Sequence, residues 1–287
     1  MSETPYMIKF TLTLSVLLLL LAVALWLNWH LRTPMHQRNW QPLYATLPNV
    51  MKDGDRYRVT NVRNWHYGRD KSTTPGWLDV TLDPGELSEV YFLVKPFGNL
   101  DAIAHTMLAF EFSDGASYVA SVEARRTVGQ DYGGLKAGVL PMHEYMFVWA
   151  TERDMYINNT VHNKDDLFLY RLDLSEEARR AVLIAMLDET SALFESPRFY
   201  NTFFSNCTNV LARAVNKSSS NAVPWHPSWH LPGLAPRFLH NRGLISAPFG
   251  FERLQQSAYI TPIVAEIREI ESEREFSKSL RRAMNFQ

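Results

Sequence analysis

The stretch Ala104-His105-Thr106-Met107-Leu108-Ala109-Phe110-Glu111-Phe112, then Ser113-Asp114-Gly115, then Ala116-Ser117-Tyr118-Val119-Ala120-Ser121-Val122-Glu123-Ala124-Arg125-Arg126, decides how this chain is read. Two alternating runs joined by a short segment ending in Asp-Gly predict a β-hairpin. A loop with Gly115 in the left-handed conformation pairs Phe112 with Ala116. Counting outward from that pair sets His105 opposite Glu123. Side chains alternate between faces, so His105, Met107, Ser121 and Glu123 share one face and Leu108, Phe110, Tyr118 and Val122 the other. Opposed residues lie close enough for a carboxylate to orient an imidazole and stabilise its cation. A register shifted by one residue would instead bring Ala124 or Val122 to His105, and an exposed His–Glu pair without a role is the plain alternative.

Working outward, further short runs with strand character span residues 57–62, 87–96, 144–150 and 166–172. A helix is expected over 174–195, with Asp173 as N-cap and Glu176 three residues on, ended by Ser196-Pro197. A second is expected from Cys207 to about Val215, capped by Ser205 or Asn206. Strands first and helices later predict an α+β fold with an antiparallel sheet. Four segments follow: residues 1–30 as transmembrane anchor or signal, 31–55 as a Pro- and Trp-punctuated linker, 56–250 as the folded domain, and 251–287 as a charged, solvent- or partner-facing C-terminal helix.

The N-terminal segment is apolar from Phe10 to Trp29, with no charged residue before Arg32. That length matches a bilayer core, and Trp26 and Trp29 suit its aromatic edge. Ala22-Val23-Ala24 offers a signal-cleavage pattern, but the apolar run continues past it, so an uncleaved single-span anchor is the expectation. The bulk of the chain then lies outside the cytoplasm. A net charge of −1 gives no electrostatic case for nucleic acid as a partner.

In such a compartment cysteines normally pair as disulfides, yet Cys207 is the only cysteine in the chain. At a helix start it meets unpaired backbone amides that favour the thiolate. Two readings stand: a nucleophile, or a small buried hydrophobe. Taken with the hairpin, a Cys207–His105–Glu123 set is possible, because a thiolate attacks and an imidazole must take and return its proton. Tyr200, Asn201 and Asn206 precede the thiol and are candidate donors to an oxyanion, with Asn206 equally readable as a helix cap. Arg125, Arg126 and Arg153 are candidate partners of a lipid phosphate or carboxylate, with ion pairing to Glu152 and Asp154 as the plain reading of Arg153. The segment Pro224-Trp225-His226-Pro227-Ser228-Trp229-His230-Leu231-Pro232 reads as an apolar lip over the cleft or at a membrane interface, or as packing over the sheet. With His240 it does not make a convincing metal site, and neither metal nor cofactor is expected.

Several of these pieces together are familiar. Val59-Thr60-Asn61-Val62-Arg63-Asn64-Trp65, Ala104-His105-Thr106-Met107-Leu108, Phe112-Ser113-Asp114-Gly115, Ser121-Val122-Glu123-Ala124-Arg125-Arg126, Glu152-Arg153-Asp154, Pro197-Arg198-Phe199-Tyr200-Asn201 and Ser205-Asn206-Cys207-Thr208 resemble the periplasmic domain family of the Lnb-type lipoprotein N-acyltransferases. The resemblance runs over about residues 57–280. It implies a circularly permuted NlpC/P60, papain-like thiol-enzyme fold, in which the histidine strand precedes the cysteine helix. It also implies acyl transfer from a membrane phospholipid, through a thioester on Cys207, to an amine such as a lipoprotein N-terminus. Carried over, Cys207 is nucleophile, His105 base and Glu123 orienting group. The expected location is a bacterial inner membrane with the domain facing the periplasm or exterior. A thiol hydrolase of the same fold (a peptidoglycan amidase or peptidase, or a lipid esterase) and a non-catalytic scaffold are the alternatives. Characterised acyltransferases of this kind carry more transmembrane helices after the domain, and none is legible here. A different acceptor, water, or a partner is therefore also open.

Overall fold

A computed structural model describes residues 4–70, 72–98, 100–134, 136–202, 205–218 and 223–285; Phe203 and Phe204, in the segment leading to Cys207, lie outside them. Ten strands occur among the described residues: β1 (Asn49–Asp53), β2 (Arg56–Arg63), β3 (His66–Tyr67), β4 (Thr73–Thr74), β5 (Trp77–Leu82), β6 (Leu87–Phe97), β7 (Leu100–Phe112), β8 (Ser117–Arg125), β9 (Glu144–Thr151) and β10 (Phe168–Arg171). The helices are α1 (Thr4–Leu31), α2 (Pro42–Ala45), α3 (Lys136–Val139), α4 (Glu152–Ile157), α5 (Glu176–Glu195), α6 (Cys207–Ser218), α7 (Ala235–Asn241), α8 (Phe251–Ser257), α9 (Thr261–Ile267) and α10 (Glu273–Ala283).

The hairpin β7–β8 forms in the expected register. Gly115 takes φ +81°, where L side chains are strained, and Asp114 Oδ1 accepts from the Ala116 amide at 2.9 Å. The Phe112 amide donates to Ala116 O at 2.8 Å, and the ladder runs through Phe110↔Tyr118 to Met107↔Ser121. Around it the sheet is ordered β1-β2-β9-β8-β7-β6-β10, with β5 also on β2. Every pairing in it is antiparallel except the single parallel bridge Arg63↔Ala150. The fold is thus mixed α+β with an antiparallel sheet.

Both sheet faces are covered. On one, Leu108, Phe110, Val122 and Trp149 pack with Leu183 and Leu187 of α5 and Val210 and Leu211 of α6. On the other, Met107, Ala109 and Val119 meet Tyr156 of α4, Val264 of α9 and Phe276 and Leu280 of α10. Alternating residues of one strand therefore serve two cores, as its period of two requires.

Three expectations change. Residues 31–55 are no simple linker: β1 pairs along β2, and Trp40 and Tyr44 are buried. The 251–287 tail is three short helices rather than one solvated helix, and Arg281 is buried because Glu111 and Glu152 neutralise it. The cap of α5 is Ser175, whose hydroxyl accepts from the Ala178 amide, rather than Asp173. Residues 7–31 form one helix of mean hydropathy 2.5, long and apolar enough to cross a membrane.

Candidate active site

Helix α6 starts at Cys207 because Asn206 caps it. The Asn206 Oδ1 accepts from the Asn209 amide at 2.9 Å, the usual bond from cap to third residue. The thiol therefore lies in the first turn, where backbone amides lack intrahelical acceptors and the dipole favours an anion. One residue on, Thr208 Oγ1 bonds Thr106 Oγ1 of β7 at 2.8 Å. That buried pair clamps helix to strand one position away from both Cys207 and His105.

His105 and Cys207 border the same cleft, and each shifts the other's proton affinity towards the charged form. The imidazole Nε2 faces Ser121 Oγ at 2.7 Å and Glu123 Oε1 at 3.0 Å, and Ser121 Oγ donates to Glu123 Oε1 at 2.6 Å. Nε2 is thus the nitrogen committed to the carboxylate side, which leaves Nδ1 for the thiol. Burial disfavours charge on each group, but mutual attraction outweighs it. Burial pulls His105 down, yet Glu123 and Cys207 raise it to about 10. Burial pushes Glu123 up, yet His105 and Ser121 bring it to about 2. Burial pushes the Cys207 thiol up, yet His105 and the Thr106 hydrogen bonds carry it below its ordinary value. The set favours thiolate, imidazolium and carboxylate together.

These groups line a cleft of about 470 Å³ at the end of the sheet. Its walls include consecutive residues of both hairpin strands, Ala104-His105 and Val122-Glu123-Ala124, so it is the strand ends rather than one sheet face that border it. Tyr44, Phe97, Ile103, Tyr132 and Pro232 supply further lining. The volume is in the range that takes a small organic group or part of a lipid.

A family model, the Lnb N-terminal periplasmic domain, matches residues 73–231, more than half of the chain. The chain belongs to this Lnb periplasmic-domain family. No curated protein and no solved structure matches it. The matched span contains His105, Glu123 and Cys207 and most of the cleft lining, Tyr44 and Pro232 lying outside it.

The other candidates separate. Tyr200 lines the cleft, and its hydroxyl lies 3.2 Å from that of Tyr132. Burial and the nearby Cys207 charge push its pKa well up, so it stays a neutral phenol able to donate. Asn206 also borders the cleft, but its Nδ2 donates to Thr202 O at 3.0 Å and Trp229 O at 3.1 Å, which uses both amide hydrogens. The oxyanion reading of Asn206 gives way to a cap and tie. Asn201 is not in the cleft wall; its Nδ2 holds Gly138 O at 2.9 Å. Arg125 is buried away from the cleft, donating to Tyr44 O at 2.9 Å and Ala45 O at 2.8 Å with Trp40 beneath it. It fastens α2 to β8, and the neighbouring Arg126 is the one that faces the cleft. Arg153 donates to Ile270 O at 2.8 Å, also outside the cleft.

Sequence reasoning gave no role to Ser121, Thr106, Thr208 or Tyr132. Ser121 was legible in principle, since it shares a strand face with Glu123 two residues on. The Pro- and Trp-rich segment brings His230 and Pro232 to the cleft and leaves Trp225, Leu231 and Leu234 exposed. His226 caps a turn through the Ser228 amide and His240 bonds Ile245 O, so these two rings point to separate tasks. Close to the wall at Tyr200, the end of α1 and the residue after it are tied down: Trp29 Nε1 donates to Val139 O at 2.8 Å, Arg32 Nη1 to Pro141 O at 3.3 Å, and Trp29 meets Phe199 edge-on.

Proposed function

We propose that this chain is a membrane-anchored cysteine acyltransferase of the cytoplasmic membrane, acting on ester-linked acyl chains of membrane lipids through a thioester on Cys207. The observation that carries the reading is one cleft wall that gathers Cys207, His105 and Glu123, with His105 Nε2 2.7 Å from Ser121 Oγ and 3.0 Å from Glu123 Oε1 and its charge coupled to that of Cys207. The order of elements, histidine strand before cysteine helix, supports a permuted NlpC/P60-like arrangement.

The thiolate of Cys207 attacks the ester carbonyl, and negative charge develops on its oxygen near the α6 amides and the Tyr200 hydroxyl. The tetrahedral intermediate collapses to the thioester and a glycerol alkoxide, which takes the proton from His105 Nδ1. An amine, such as a lipoprotein N-terminus, then attacks the thioester and gives its proton back to His105, and the thiolate leaves. Glu123 and Ser121 hold the ring and its charge throughout. Membrane confinement of enzyme and both substrates raises their effective concentration.

Mass spectrometry of membrane-extracted protein tests this. A hydroxylamine-sensitive fatty-acyl mass on Cys207, absent in Cys207→Ser and weakened in His105→Ala, is expected. Decay of that adduct at the same rate with and without an amine would make the enzyme a hydrolase. An unmodified thiol that phospholipid leaves unacylated would overturn the proposal in favour of a scaffold.

A further inference from the structure

The cleft holds a guanidinium that the Cys207 chain does not use. Arg126 follows β8, is half-buried and lines the cleft. Its Nη2 donates to the Tyr44 hydroxyl, and its plane lies 4.9 Å from the centre of that ring. These are neutral partners, and Arg126 makes no ion pair among the described residues. The surrounding charges are otherwise matched. Lys95, the second cation lining the cleft, pairs with Asp165 at 3.1 Å, and Glu144, near the end of β8, is taken by Arg38 at 2.9 Å. Arg125 is occupied by backbone carbonyls.

A partly desolvated guanidinium with spare donors is short of an anion. Its planar fork suits the oxygens of a phosphate, which it binds by paired, charge-assisted hydrogen bonds. The Tyr44 contact fixes the fork in advance, which reduces the ordering needed on binding. Cleft walls near it are apolar, and Phe97, Ile103 and the adjoining Leu231 are exposed at the rim. A ligand that fits has a phosphate beside an ester and hydrocarbon beyond it.

We propose that Arg126 binds the phosphate of a membrane glycerophospholipid and so presents that lipid's ester carbonyl to Cys207. This rests on the acyl-transfer reading and adds to it the residue that positions the donor. Phosphate and ester sit on one glycerol, so a single cleft holding both Arg126 and Cys207 spans them.

Binding to the full-length Cys207→Ser protein in detergent tests the donor without turnover. The probes are dihexanoyl phosphatidylglycerol, dihexanoylglycerol and inorganic phosphate, followed by calorimetry. Charge-assisted hydrogen bonds of this kind predict that the phospholipid binds on the order of ten-fold tighter than the neutral lipid. Adding Arg126→Gln brings the ratio close to one, and Arg126→Lys keeps part of it. A ratio that Arg126→Gln leaves unchanged overturns the proposal. Inorganic phosphate competing as well as the lipid also overturns it, by making this a free-anion site. A third readout separates positioning from charge balance: with Cys207 intact, Arg126→Gln leaves the pH dependence of thiol alkylation where it was. A shift in that profile would make Arg126 a counter-ion of the thiolate instead. Failure of the acyl-enzyme reading is seen separately, as absent acylation of wild type, because the binding ratio needs no turnover.

Discussion

Two groups of buried charges among the described residues behave in opposite ways. Behind the sheet, Arg63 grips Asp154 with Nε at 2.9 Å and Nη2 at 2.9 Å, and the carboxylate also accepts from the Trp65 amide and the Tyr67 hydroxyl. Nearby, Arg281 joins Glu111 and Glu152, which accept further from Tyr91 and Tyr156. At the strand ends, Cys207, His105 and Glu123 form the other set. Arginine cannot give up its proton, so the first set is a fixed scaffold of charge that joins α4 and α10 to the sheet. Thiol and imidazole can, and theirs is the set beside a cleft. Buried charge alone therefore does not mark a working site; a movable proton next to open space does.

The sharpest break of that contrast is Asp154→Asn. It leaves Arg63 buried against a neutral amide and is expected to cost about 3–5 kcal/mol, a drop of roughly 10 °C in melting temperature. The pH profile of Cys207 alkylation should not move in the folded fraction; a moved profile would mean that the two sets communicate.

The set beside the cleft is broken at its centre by His105→Ala. Without the imidazolium the thiol returns towards its ordinary range, so alkylation at pH 6 is expected to fall. Rates measured against pH locate the acid limb, and an unshifted limb would sink the ion pair. Stability adds an independent reading. The folded pKa of His105 is raised from 6.5 to about 10, so its contribution is full below 6.5 and lost as pH rises through 10. Glu123 is lowered from 4.5 to about 2, so its contribution is present above 4.5 and lost as pH falls through 2. Chemical denaturation of wild type and His105→Ala should therefore converge at alkaline pH.

Ser121→Ala is the smallest change. It removes one neutral link between His105 and Glu123 and is expected to slow acyl-enzyme formation by up to about ten-fold, one hydrogen bond's worth. No effect at all would leave Glu123 as the sole orienting group.

The hairpin was legible because Asp114-Gly115 fixes the loop, and the loop fixes every pair outward to His105 and Glu123. The start of α6 was legible because Asn206 is a strong cap. What Asn206 and Arg125 do was not legible, since their partners (Trp229 O for one, Tyr44 O and Ala45 O for the other) come from distant segments. Strand β1 was hidden because its last three residues are exposed at the edge and carry no alternation. The tail looked solvated because a sequence gives the charge of Arg281 but not the carboxylates that surround it.

Helix α3 and the residues flanking it receive α1 on one side, through Val139 O and Pro141 O, and hold the cleft wall on the other. There Gly138 O takes the Asn201 amide at 2.9 Å and Gly134 O takes the Thr202 hydroxyl at 2.9 Å. The end of the apolar helix and the wall beside Tyr200 are thus anchored on neighbouring carbonyls of one short segment. Cys207 and His105 are held separately, by the Thr106–Thr208 clamp between α6 and β7. The apolar helix and the cleft wall share one footing, so a substitution in that segment reaches both at once.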